Sequence, residues 1–88
     1  MKVYSWIGFY KFPEIGMKQA RFVCAAKSKA AAARSVNDEP RRLFNFGETG
    51  NDNDCNTALA EPGVAFVRTL DYSAAQPDYL RAVVKDCR

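Results

Sequence analysis

Residues 3–10, VYSWIGFY, place the tightest constraint on what this chain can fold into. β-branched and aromatic residues dominate the stretch, and side chains along a strand alternate between two faces. One alternate set is Val3, Ser5, Ile7 and Phe9; the other is Tyr4, Trp6, Gly8 and Tyr10. Both sets are largely apolar, so the segment reads as a strand with two apolar faces. Pro13 and Gly16 in KFPEIGMK bring turn chemistry. QARFVCAA over 19–26 reads as the next strand, so 3–26 form an antiparallel hairpin whose loop exceeds two residues.

SKAAAARSVNDEPRRLFNFG, residues 28–47, follows. Ser28 is a good N-cap for a helix over Lys29–Val36, and four consecutive alanines favour helix while leaving little bulk. Asn37 suits the left-handed conformation that ends a helix. Pro40 suits the first turn of a second short helix, closed by Gly47, with Leu43 and Phe46 on one face. Asp52 or Asp54 would cap a further helix over 55–61, stopped by Pro62 and Gly63. VAFVRTL over 64–70 reads as a third strand. Leu80, Val83, Val84 and Cys87 then have the i, i+3, i+4, i+7 spacing of one buried helical stripe. The order ββααβα predicts a single α+β domain over 1–88: two layers, about three strands in an antiparallel or mixed sheet, helices packed on one face. The other face is left open, and Tyr4, Trp6 and Tyr10 are expected to share it.

Eighty-eight residues suffice for one domain, and 48% hydrophobic content is too much for disorder. No run of about 18 apolar residues is present to span a membrane. MKVYSWIGFYKF has no signal-peptide core, which implies a cytoplasmic protein. Net charge is +3, unevenly spread. Residues 1–47 have nine Lys and Arg against three acids, a net of +6, whereas 48–62 have four acids and no Lys or Arg. That asymmetry suits a basic face offered to an anionic partner.

Histidine is absent, and Cys24, Cys55 and Cys87 form no Cys-x-x-Cys, so the chain has no ordinary zinc signature. Free thiols are expected, with Cys24 a small core residue. Carboxylates cluster only in the loop around 48–54, and no base stands ready for a cysteine nucleophile, so the reading is non-enzymatic with no cofactor and no metal. Asp52, Asp54 and Asn56 alternate as at the start of a calcium loop, but Thr57 and Gly63 occupy the positions that require Gly and Glu.

Binding candidates remain. Residues 28–47 have the outline of a helix-turn-helix, with Arg41 and Arg42 as the cations that would attract phosphates and Arg34 a further interaction candidate, but no glycine at the turn. Arg41 and Arg42 would head the second helix, where an anion can meet first-turn N–H groups. Lys29 adds charge to the same region. Tyr4 and Trp6, exposed beside Arg21, would stack bases or serve as a protein interface.

YSWIGFYKF, CAAKSKAAAARSV, LFNFGETGN and ALAEPGVAFVR resemble segments of small uncharacterised bacteriophage and prophage accessory proteins. Some phage proteins of similar strand–strand–helix layout are anti-CRISPR-type inhibitors. The resemblance implies an inhibitor acting in the bacterial host cytoplasm on a host defence protein or nucleoprotein complex. A degenerate helix-turn-helix DNA-binding protein and a small virion or assembly component are the alternatives.

Overall fold

The computed structural model describes residues 1–70 and 79–82. Five antiparallel strands form one sheet in the order β3-β1-β2-β4-β5. They are β1 (Lys2–Phe12), β2 (Gly16–Ala26), β3 (Phe44–Glu48), β4 (Phe66–Thr69) and β5 (Leu80–Arg81). Two helices, α1 (Lys29–Arg34) and α2 (Asp52–Ala60), complete the described fold. β1 and β2 pair without a break from Lys2↔Ala26 to Phe12↔Gly16. A three-residue turn joins them, and Gly16, at φ 77°, supplies the left-handed residue that closes such a hairpin.

The expected three-stranded sheet with helices on one face is not what forms. α1 and α2 lie on opposite faces. Ala32 of α1 packs with Tyr4, Trp6, Cys24 and Ala26. Ala58 of α2 packs with Val3, Val23 and Ala25. These are the two alternate residue sets of one hairpin, so each apolar face receives its own helix. The doubly apolar strand thus argues against one-sided packing, because a face bearing Val3, Val23 and Ala25 also needs cover.

Tyr4 and Trp6 belong to the core, at 5% and 1% exposure, not to an open face. Trp6 stacks between Phe22 on β2 (centroids 5.7 Å, 2° between planes) and Phe46 on β3 (5.1 Å, 13°). Tyr4 also touches Phe46, at 5.9 Å. Tyr10 meets Phe12 and Phe22 edge-on. Each such aromatic pair adds about 0.5–1.5 kcal/mol beyond its burial.

The second short helix expected over 40–47 is absent. Pro40–Arg42 make one 3₁₀ turn, and Phe44–Glu48 form β3. Leu43 and Phe46, three apart, do share a face, both packing on the Trp6 side. A bulge produces that spacing. Between Ser5↔Gly47 and Ile7↔Phe44, β3 advances one residue more than β1, and Asn45 sits at φ 52°. The extra residue turns a strand's period of two into three, which in sequence looks helical. The helix-turn-helix outline therefore has no second helix.

Other expectations hold locally. Ser28 caps α1 by accepting from the Ala31 N–H at 3.2 Å. Asn37 is left-handed at φ 55°. α2 begins earlier than expected, and its cap is Asn51, which accepts from the Asp54 N–H at 3.1 Å. At the C-terminal end, Leu80 is a strand residue, half-exposed, and pairs with Val67, so it does not begin a buried helical stripe. Val83, Val84 and Cys87 lie outside the described residues.

Ala32 is fully buried between α1 and the sheet and Ala33 is buried too, whereas Ala30 faces solvent. The alanine run is therefore a spacing device: it sets how closely α1 approaches Cys24 and Ala26. Ala32→Leu is expected to overpack this contact and cost about 1–3 kcal/mol. Ala30→Leu should stay within about 0.5 kcal/mol of the parent. Urea denaturation of the two variants measures the difference.

Candidate binding face

The face shared by Val3, Ser5, Ile7, Phe9 and Lys11 is only half covered. α2 closes the end at Val3, Val23 and Ala25, with Cys55, Phe66 and Tyr79 packed alongside. A polar clamp fastens it there. Asp54, 4% exposed, accepts from the Tyr79 hydroxyl at 2.5 Å and from the Thr49 hydroxyl at 3.1 Å. The Arg68 guanidinium lies over the Tyr79 ring, 5.2 Å from its centroid. Burial, then the bond to the Asp54 carboxylate, pushes the Tyr79 hydroxyl up from its ordinary value near 10 to about 12. The clamp joins α2, β4 and the start of β5, and its groups are engaged with one another.

Beyond α2 no helix among the described residues covers the same face. Phe44 on β3 pairs with Ile7 on β1, and Ile7 pairs with Arg21 on β2, which in turn pairs with Arg68 on β4. These four residues make one row across four strands. Phe9 and Gln19 form the next row, and Lys11 and Met17 the one after. Phe9, Phe44 and Met17 are 73%, 72% and 62% exposed. Like charges directly across a ladder repel, and the two arginines diverge: Arg21 donates to Ser5 Oγ at 3.4 Å, while Arg68 lies on Tyr79.

β3 contributes to this opening. Its pairing with β1 ends at Ile7↔Phe44, whereas β1 continues to Phe12. The Val3 carbonyl accepts from the Thr49 N–H at 2.9 Å, so odd-numbered residues of β1 turn their backbone groups toward the β3 side. At Phe9 and Lys11 no described strand pairs with that edge.

The residues singled out from sequence are scattered. Tyr4 and Trp6 are buried beneath α1 and Phe46. Arg21 lies on the opposite face from both, because its neighbour Phe22 is the residue that pairs with Trp6. Arg34 and Arg42 do come together, with Asn37, Asp38 and Glu39, around a depression of about 470 Å³. Two acids there offset the two cations. Arg41 pairs with Glu39 at 2.8 Å on the surface, an arrangement that contributes little to stability. Lys29 is exposed at the start of α1. A three-residue 3₁₀ turn gives Arg41 and Arg42 no helix terminus at which to hold an anion. Asp52, Asp54 and Asn56 belong to α2, and Asp54 is occupied by Thr49 and Tyr79. Among the described residues no three metal-ligating side chains converge. Cys24 is fully buried, and that burial pushes its thiol up, away from reactivity.

Phe9, Phe44, Lys11 and Ile7 were not singled out by sequence reasoning. The two phenylalanines of LFNF hint at a strand, but a strand's period of two would put Phe44 on one face with Phe46, and only the bulge at Asn45 parts them. Comparison with protein-family models, curated proteins and solved structures finds no match. No helix among the described residues is long and apolar enough to cross a membrane.

Tyr79→Phe removes one of the two side-chain donors to a buried carboxylate and is expected to cost about 1–3 kcal/mol. A hydroxyl whose folded value lies above its unfolded value stabilises fully below pH 10 and loses that contribution as pH rises toward 12. The stability gap between parent and Tyr79→Phe should therefore be constant below pH 10 and shrink between pH 10 and 12. Denaturant titrations across that range measure it.

Proposed function

We propose that this chain is a non-enzymatic binding protein, a phage-type inhibitor that occupies a host defence nucleoprotein complex through the open half of the β1–β2 face. One observation carries the reading. A sheet that covers Trp6, Phe22 and Val23 closely leaves Phe9 and Phe44 more than 70% exposed on adjacent strands, beside Lys11 and Arg21. Exposed aromatic rings cost solubility, and grouped aromatic and Arg side chains are the composition of binding hot spots. The non-enzymatic part of the reading rests on the sequence, which contains no histidine. The phage character of the reading rests on the sequence resemblance alone.

This reading moves the interface from the Arg41–Arg42 region to the other side of the molecule, and a paired comparison separates the two. Phe9→Ser with Phe44→Ser should change stability by no more than about 0.5 kcal/mol per site, because both rings face water. Affinity capture from bacterial lysate, run with parent and variants in parallel, should yield a species retained by the parent and by Arg41→Ala with Arg42→Ala. The Phe9/Phe44 variant should lose it. Retention by that variant, with loss in the arginine variant, overturns this choice of face.

A further inference from the structure

Resting on that reading, we propose that the open half-face binds single-stranded nucleic acid, with Phe44 and Phe9 stacking successive bases and Lys11 and Arg21 meeting the phosphates. The charge is one-sided. Among the described residues, the strand positions on this face include Lys11, Arg21 and Arg68 and no Asp or Glu. Three carboxylates are committed elsewhere, Asp54 to Thr49 and Tyr79, Glu48 to Lys2 on the opposite face, and Glu61 to Arg81, while Glu14 stands in the β1–β2 turn beyond the strand positions. Arg21 has a neutral partner, the Ser5 hydroxyl, and so keeps its full charge for an anion.

Spacing selects the form of nucleic acid. Phe44 is directly opposite Ile7, and Phe9 is two residues further along β1, so the rings are diagonal neighbours across adjacent strands. Such positions lie about 7–8 Å apart, roughly twice the 3.4 Å per nucleotide of a stacked strand. Bases seated on both rings must be unstacked from each other, which a single strand permits and a duplex does not.

Size selects against a protein as the principal contact. A stable protein interface engages about 20–30 residues a side. The open half-face offers Ile7, Phe9, Lys11, Met17, Arg21 and Phe44 with Gln19 between, enough for two or three nucleotides. Among the described residues no strand pairs with the edge of β1 at Phe9 and Lys11, which leaves its backbone groups there to a ligand.

The test uses the purified full chain and fluorescence anisotropy with a labelled oligothymidine of about a dozen nucleotides, beside a mixed-sequence duplex of equal length. The parent should bind the single strand at low salt and prefer it over the duplex by tenfold or more. Phe9→Ala and Phe44→Ala should each weaken binding about tenfold with an unchanged salt slope. Phe9→Trp should restore it. Lys11→Gln should weaken binding and lower the slope of log affinity against log salt by about 0.7, the loss of one phosphate contact. Circular dichroism melts confirm that each variant is folded. No binding of the oligothymidine, or binding unchanged by both Phe variants, overturns the inference. Failure here with face-dependent capture from lysate leaves the binding reading standing with a protein partner. Capture independent of the face removes the reading itself.

Discussion

The stack of Trp6 between Phe22 and Phe46 is the interaction on which the rest depends. It runs across three strands and makes one apolar floor of them. β1 and β2 are joined by a short turn and would meet in any case, but β3 arrives from a distant part of the chain. Ordinary alternation from Tyr4↔Glu48 and Ser5↔Gly47 sets Phe46 opposite the indole, and the bulge at Asn45 comes just beyond it. The same bulge leaves Phe44 on the other side, opposite Ile7. One extra residue therefore parts the two rings, leaving Phe46 in the core and sending Phe44 to the exposed aromatic pair.

The two helices divide the work unequally. α1 is short and nearly all alanine, so it lies close to the Trp6 side and seals it with Leu43 and Val36 alongside. α2 has little apolar surface of its own: Ala58 is buried, Cys55 half-buried, Leu59 exposed. The Asp54 clamp adds hydrogen bonds to that limited burial, and α2 packs at the Val3, Val23 and Ala25 end of its face. The aromatic and basic residues on the open half-face face no described helix.

Polarity follows the same division. The basic excess of residues 1–47 does not gather at one place. Arg41 is matched by Glu39, and Lys2 by Glu48, while Arg34 and Arg42 share a depression with Asp38 and Glu39. Lys11 and Arg21 differ because they stand on strands without acidic neighbours. Position in the sheet, and not abundance in the sequence, makes a cation available to a ligand.

The sequence by itself determined the hairpin, the Ser28 cap, the left-handed Asn37, the stop after α2 and the strand around Val67, because each follows from local propensity, alternation or turn chemistry. It also determined that β1 has two apolar faces. Only the tertiary structure decided that α1 and α2 take opposite faces, that Phe44–Glu48 is a strand, and that Leu80–Arg81 pairs with β4. Leu43 and Phe46 show why. Their three-residue spacing fits a helix turn and a bulged strand equally well, and the choice rests on Trp6, some forty residues away in sequence. The fate of Tyr4, Trp6 and Arg21 was settled in the same way. Alternation assigns residues to faces, but which face is covered depends on helices whose placement is a long-range packing outcome.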